Sequence, residues 1–423
     1  MRVAGHRGRR SGGTSRRAVA GFAALLLLIA ILVVVVSKAL REHGGIARPA
    51  LVLSTFETRT GADVVRDCGY SQALPANPSA SVWLFCDTDV YFVSARGTWR
   101  RSEIIDGSTA AEGPSTPGAV PVDLRELATP GTSGKAAADR DGPAPFLPAP
   151  AGLTTASGLA CDAADGAYPA SWPTGVTNDA ASPSDLLVSF NNYCVSISGG
   201  ALQPDGFGLV AYDPSTNRLT GQSTVFVAPK ADSFGPAQAL PPEELLGSPV
   251  VSGGYLYLFG QSCGKIILAV CMGGAGSGIY LARVDALSSA WTNPARYQWF
   301  AGRSGWTADP ANAVSVISGA TPLGVSVASY SSAGQALVLV EQVSEVGQFI
   351  AYQADRPTGP WRRLLAGTVD CTRGTGFCRA IIGHPDLSTR ADLVLSYFDP
   401  GASPRDHRGQ QPEGHVMVAS FPW

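Results

Sequence analysis

Ser81-Val-Trp-Leu-Phe85, Asp185-Leu-Leu-Val-Ser-Phe190, Tyr255-Leu-Tyr-Leu-Phe259, Gln335-Ala-Leu-Val-Leu-Val340 and Asp392-Leu-Val-Leu-Ser-Tyr397 are five short apolar runs. Gly, Pro, Asn, Asp and Ser separate them from their surroundings, which is the punctuation of β-strands. Gly278-Ile-Tyr-Leu-Ala-Arg-Val284 has the same character. Outside the N-terminal region no long segment keeps a 3.6-residue apolar period, so the bulk of the chain reads as all-β. After the first gap the runs recur at intervals of roughly 60–80 residues, an interval that suits four-stranded blades carrying insertions. Five groups predict a five-bladed β-propeller, in which radial packing leaves only short, protected sheet edges. A pair of β-sandwiches is the alternative, but it does not call for a strand group repeated five times.

The first gap is long. Residues 106–158 are rich in Pro, Gly, Ala, Ser and Thr, and they read as an extended insertion within residues 50–423 rather than a domain boundary.

The N-terminal region is different in kind. Ala18–Val36 is 19 residues without a charge. At 1.5 Å per residue such a helix just spans a bilayer core, where backbone groups must pair internally. Arg2, Arg7, Arg9, Arg10, Arg16 and Arg17 precede it with no acid among them, and Lys38, Arg41 and Glu42 follow. The positive-inside rule then predicts a cytoplasmic basic tail (1–17), a single transmembrane helix (18–37), a spacer (38–49) and an extracytoplasmic domain at the cell membrane. A cleaved signal peptide is the competing reading. Its only small-x-small site would be Ser37-Lys38-Ala39, a poor one.

Charged residues are 15% of the chain, against about 25% in ordinary soluble domains. Net charge is −2, and no basic patch occurs beyond the N-terminal tail, so nucleic-acid binding has no electrostatic basis. The eight cysteines fit an oxidising compartment. Their spacing makes four neighbouring couples, Cys68/Cys86, Cys161/Cys194, Cys263/Cys271 and Cys371/Cys378, expected as local staples although sequence alone allows 105 pairings. No CxxC occurs, and His384, His407 and His415 are the only histidines in the folded part, so no metal is called for. The Gly273–Gly278 stretch lies between strands with no helix after it, which excludes a phosphate loop. A Gly-x-Ser-x-Gly elbow is also absent, and no motif implies a cofactor.

Arg66-Asp67-Cys68-Gly69-Tyr70-Ser71 followed by Val82-Trp-Leu-Phe-Cys-Asp-Thr88 resembles the opening blade of a family of secreted bacterial proteins catalogued as a domain of unknown function. Pro145-Phe-Leu-Pro148, Trp172-Pro173, Gly247-Ser-Pro-Val-Val251, Tyr280-Leu-Ala-Arg283 with Trp291 and Trp299, Gly359-Pro-Trp361 and His384-Pro-Asp-Leu387 resemble its later elements in order. That family is similar to five-bladed propeller glycosidases such as arabinanases and fructosidases. Some members are endo-acting hydrolases of D-arabinan, the actinobacterial cell-wall polysaccharide, and others have no demonstrated activity. The resemblance therefore implies a cell-envelope polysaccharide as partner, with a non-catalytic glycan- or protein-binding propeller as the alternative. Cys68 and Cys86 stand where the family pattern has glycines, at matching ends of one hairpin, which supports their pairing.

Glycoside hydrolysis takes two carboxylates, one acting as acid and the other as base or nucleophile. By its Arg-Asp context Asp67 matches the first-blade carboxylate of propeller glycosidases; a turn aspartate beside a disulfide is the plain alternative. Glu244, before the third blade, is the candidate second carboxylate, although a Pro-Pro-Glu-Glu loop is usually solvated. Glu243, Asp179 and Glu341 are further acids in similar places. Arg66, Asp87, Trp172, Trp299 and His384 are expected to bind substrate. For each there is a bland reading: Asp87 satisfied by Thr88 and nearby backbone, tryptophans (Trp306 included) filling blades, and His384 as a structural histidine.

Overall fold

The computed structural model describes residues 49–132, 142–155, 157–197, 202–227, 246–262, 266–267, 270–271, 276–320, 323–334, 336–372, 377–402 and 414–423. The expected membrane helix, its basic tail and nearly all of the spacer lie outside these residues. Among the described residues no helix is long and apolar enough to cross a membrane.

Five antiparallel sheets form a five-bladed propeller. The inner strands are Asp63–Leu74, Ala167–Asn178, Leu246–Ser252, Gly324–Tyr330 and Arg379–Gly383, in blades 1 to 5. Each inner strand touches the next around a closed ring, and the fifth returns to the first. They approach closely. A Cβ on Gly175 would sit 2.5 Å from the ring of Pro249, and one on Gly247 would sit 2.8 Å from Thr174 Cβ, so only glycine fits at these crossings. Blade 5 is closed by the first and last described strands: Ala50–Leu51 pairs with His415–Pro422, with Ala50 opposite Val418. This joint leaves the ring no free seam.

The five apolar runs of the sequence all fall in the second strand of a blade: Asn77–Val93, Leu186–Ser196, Tyr255–Ser262, Ala336–Gln342 and Asp392–Asp399. The second strand is buried on both faces, because each face of a blade packs on a neighbour, and a doubly buried strand is a continuous apolar run. Alternation then sorts its side chains. Leu186, Val188 and Phe190 join Val82, Leu84 and Ala110 of blade 1, whereas Leu187 joins Leu256 and Leu258 of blade 3. Val338 and Val340 face Leu393 and Leu395 of blade 5, whereas Leu337 and Leu339 face Phe259 and Leu281 of blade 3. Trp83, Phe85 and Val394 close the ring between blades 5 and 1. Each of these large side chains contributes about 1.5–3 kcal/mol by leaving water.

The expectation of an insertion at 106–158 is corrected where the chain is described. Thr109–Pro114 is the third strand along Ala80–Phe85, and Arg125–Glu126 pairs with it as the fourth. Phe146 and Leu147 are buried between blades 1 and 2. Small residues hid these elements: Thr109-Ala-Ala-Glu-Gly-Pro114 carries no large apolar side chain, yet it is a strand.

Three of the expected disulfides form, Cys68–Cys86, Cys161–Cys194 and Cys371–Cys378. The expected fourth bridge, between Cys263 and Cys271, falls on side chains outside the described residues. Cys263 lies outside the described residues. Cys271 is described in its backbone alone, in the two-residue strand Val270–Cys271 opposite Ile266–Ile267. The chain between the second and third strands of blade 3 forms this short hairpin, and the expected Cys263/Cys271 bridge lies outside the described residues.

Candidate functional site

Asp67 lies on the inner strand of blade 1 where the ladder breaks. The register to the second strand shifts on both sides of Cys68, and Cys68 itself adopts a left-handed φ of 62°. A bulge of this kind re-aims the adjoining side chain. Asp67 Oδ1 accepts the Cys68 N–H at 2.8 Å, and its Oδ2 accepts Nε of Arg379 at 2.5 Å. Arg379 opens the inner strand of blade 5 and lies flat on Phe398, 3.8 Å from its centroid.

Asp87 ends the apolar part of the second strand of blade 1. Its Oδ1 accepts the Gly107 N–H at 2.7 Å and the Trp172 indole N–H at 2.9 Å, and its Oδ2 accepts the Tyr168 hydroxyl at 2.8 Å. Burial pushes its carboxyl above the usual aspartate range. The three hydrogen bonds hold it down, but not fully, and the charge of nearby Asp67 adds to the rise. Asp106, exposed at the rim, is also raised, by partial desolvation and by Asp87. Burial and then the charge of Asp87 raise the Tyr168 phenol as well.

An aromatic wall stands beside these acids. The rings of Trp172 and Tyr193 are 4.8 Å apart and tilted by 38°. Tyr70 lies within electrostatic reach of both Tyr193 and Asp67. Tyr168 and Trp172 are four residues apart on one inner strand, so strand alternation aims both at the same carboxylate. Blades 1, 2 and 5 thus bring together two adjoining carboxylates, a third at the rim, a cation and stacked aromatic faces.

The other expected site residues fall elsewhere. Arg66 points away from Asp67. It is buried, ion-paired with Glu126 and stacked on Phe85, so it ties the inner strand to the outer part of its own blade. Trp299 is 2% exposed in the core between blades 2 and 3, where it fills space and presents no face to a sugar. Trp306 is half-buried against Arg283. His384 is wholly buried between blades 5 and 1, stacked on Trp83 at 4.7 Å, which corrects its expected contact with substrate. Its Nδ1 lies 2.7 Å from Ser71 Oγ, whose hydroxyl donates to Asp386 Oδ1 at 2.8 Å. That geometry puts the proton on Nδ1. Burial lowers the imidazole to about 4 against the pull of Asp386, so His384 is neutral at ordinary pH. Asp179 caps its own turn by accepting the Ala181 N–H. Glu341 is buried and accepts the Tyr352 hydroxyl. Glu243 and Glu244 lie outside the described residues. Of the partners expected for Asp87, a nearby backbone N–H is present, that of Gly107, whereas Thr88 bonds Thr109 and the Cys86 carbonyl instead.

Tyr168, Tyr193, Asp106 and Arg379 are missing from the sequence reading. The Tyr168/Trp172 spacing is a signal that could have been found, whereas Arg379 reaches Asp67 across 312 residues and no local pattern marks it.

Glu57, Asp63 and His415 form a second, buried cluster with ligand atoms within 4.8 Å of one another, the geometry of a three-ligand cation site. Its groups already serve the fold. Glu57 accepts the backbone N–H of Ser54 and of Val64, and His415 bridges Asp63 and the Ala402 carbonyl. Burial opposes charge on His415, but Asp63 outweighs it and raises the imidazole. His415 Nε2 and Asp63 Oδ1 pair directly in this pocket.

No family profile matches the chain, and no curated protein matches it. Solved structures do. A candidate hydrolase from Bacteroides ovatus ATCC 8483 is similar with a TM-score of 0.52 at 14% identity, over 84% of this chain and 86% of that one. A family 117 glycoside hydrolase from the marine bacterium Zobellia galactanivorans gives 0.46 at 9% identity, covering 90% of each chain. A GH43_1 enzyme from Xanthomonas citri, solved with xylotriose, gives 0.43 at 12% identity over 88% of this chain and 89% of its own. At these identities the likeness is one of fold, the five-bladed propeller.

Proposed function

We propose that this chain is a membrane-anchored, extracytoplasmic glycosidase-like propeller that hydrolyses arabinan-type cell-envelope polysaccharide. Asp87 is the general acid and Asp67 the base or nucleophile. The observation that carries this reading is the contrast between the two carboxylates. Asp87 is desolvated and held above the aspartate range, as a proton donor must be, whereas Asp67 is ion-paired with Arg379. Trp172 and Tyr193 offer apolar faces on which sugar CH groups stack. The uncharged run Ala18–Val36, with arginines only before it, supports the anchor.

A non-catalytic glycan-binding propeller is the second reading. It is favoured by Asp67 itself, both of whose oxygens are already engaged. One assay separates the two. Residues 45–423, which include the compact unit carrying all five blades, are incubated with arabinan and arabinogalactan. Release of oligosaccharides that falls about 10²–10⁴-fold in both Asp87→Asn and Asp67→Asn establishes the hydrolase. Binding without release, unchanged in Asp67→Asn, establishes the binding module.

A further inference from the structure

We infer that the Cys68–Cys86 disulfide is a positioning device for the Asp67/Asp87 pair, fixing the separation and aim of the two carboxylates. The inference rests on reading these two acids as the acting pair.

The placement is direct. Cys68 follows Asp67 on the inner strand of blade 1, and Cys86 precedes Asp87 on the second strand. The bridge therefore joins the immediate neighbours of both acids. Regular pairing does not hold this spot: Cys68 stands opposite Phe85, and the register slips on either side of it. Cys68 occupies the left-handed region, which a residue bearing a Cβ rarely enters unless something holds it there. Gly69 next to it has a φ of 139°, and a Cβ on it would press on Val416 and Ser396. Two irregular residues thus follow Asp67. They supply the backbone N–H that meets Asp67 Oδ1 and turn its Oδ2 toward Arg379.

Asp87 is fixed from the other side. Tyr168 and Trp172 hold it to blade 2, and Gly107 holds it within blade 1. Through the disulfide that grip extends to the bulge, and so to Asp67. Of the other described bridges, Cys161–Cys194 packs with Leu153 and Ala167 in a separate cluster and touches neither acid.

The test reads the geometry without needing turnover. The carboxyl of Asp87 is titrated by 13C NMR in residues 45–423, in Cys68→Gly/Cys86→Gly and in Cys161→Ala/Cys194→Ala. Glycine is chosen at position 68 because it keeps the left-handed backbone while removing the bridge. In the parent protein Asp87 is expected to titrate above the ordinary aspartate range. Loss of the Cys68–Cys86 bridge is expected to drop it back toward that range, as Asp67 moves away and water enters. Loss of Cys161–Cys194 is expected to lower the melting temperature and leave the titration in place. If the glycine pair fails to fold, Cys68→Gly/Cys86→Ser, which also opens this bridge alone, supplies the same readout. An Asp87 titration that does not move when the Cys68–Cys86 bridge is opened overturns the inference. The outcome is separable from the hydrolase reading: a shift without any arabinan cleavage keeps the positioning role and sinks the enzyme. Where cleavage is observed, opening the bridge lowers kcat by about 10²-fold with KM little changed, the cost of a misplaced reacting group.

Discussion

The indole N–H of Trp172 reaches across the boundary between blades 1 and 2 to Asp87, 2.9 Å from its Oδ1. The bond makes one blade the holder of the other blade's carboxylate, and it is among the forces keeping that carboxyl from rising further. Trp172→Phe keeps a ring beside Tyr193 but removes the donor. Asp87 is then expected to titrate higher than in the parent, by 13C NMR, and Tyr168→Phe is expected to act in the same direction. A fall in either variant would mean that the loss of packing, and with it the entry of water, outweighs the lost hydrogen bond.

Asp87 also leaves a signature in stability. Its folded-state pKa is raised, so the stabilisation it brings is present below the aspartate pKa of the unfolded chain and is lost as pH rises through the folded value. Asp87→Asn abolishes that loss. Urea denaturation at pH 3 and pH 7.5 is expected to show the variant gaining on the parent at the higher pH only. A variant equally destabilised at both would mean that the three hydrogen bonds, and not the charge, dominate the residue's contribution.

His384 gives the opposite sign. Its imidazole is depressed to about 4 by burial, so its contribution is present above pH 6.5 and disappears as pH falls from 6.5 to about 4. The unfolded chain takes up the proton that the folded chain refuses. His384→Gln keeps a side-chain amide to meet Ser71 and does not titrate. Melting temperatures between pH 7 and pH 4 are expected to fall less steeply in this variant than in the parent, and parallel slopes would remove His384 from the acid sensitivity.

What the sequence made legible follows from where apolar side chains are obligatory. Leu186, Val188 and Phe190 with Leu187 between them must serve two interfaces at once, and such doubly buried strands announced the five blades. The inner strands are quieter. Gly175 and Gly247 are there for closeness of approach and carry no hydrophobic signal. The site divides in the same way. Asp67, Asp87 and Trp172 were visible from local context, but their partners were not. The proximity of Asp87 to Asp67 comes from strand pairing with a bulge, and the grip of Tyr168 and the ion pair with Arg379 come from ring closure, which joins residues 81 and 312 positions apart. Arg66 misled for a physical reason: adjacent strand residues face opposite ways, so the immediate neighbour of Asp67 turns into its own blade.

Closure of the ring yields a last prediction. Ala50–Leu51 is only two residues long, yet it supplies the outer strand of blade 5. The chain beyond it continues the joint. Val52, 7% exposed, donates its N–H to Val416 O, and Leu53 accepts from Leu124 N, which links blade 5 to blade 1. Residues 49–53 therefore cover an edge and bury apolar surface, and Val52 alone contributes about 1.5–3 kcal/mol. A chain beginning at residue 54 keeps Ser54 and its capping box with Glu57, so the helix Thr55–Thr60 is undisturbed. It is expected to lose several kcal/mol in urea denaturation, taking Val52 with the lost edge pairing. It should also self-associate through the bared edge of His415–Pro422, seen by sedimentation. Replacing Val52 by Ala in the longer chain should reproduce part of the stability loss and none of the association, because the edge stays paired. A monomeric, equally stable chain from residue 54 would show that blade 5 holds with three strands.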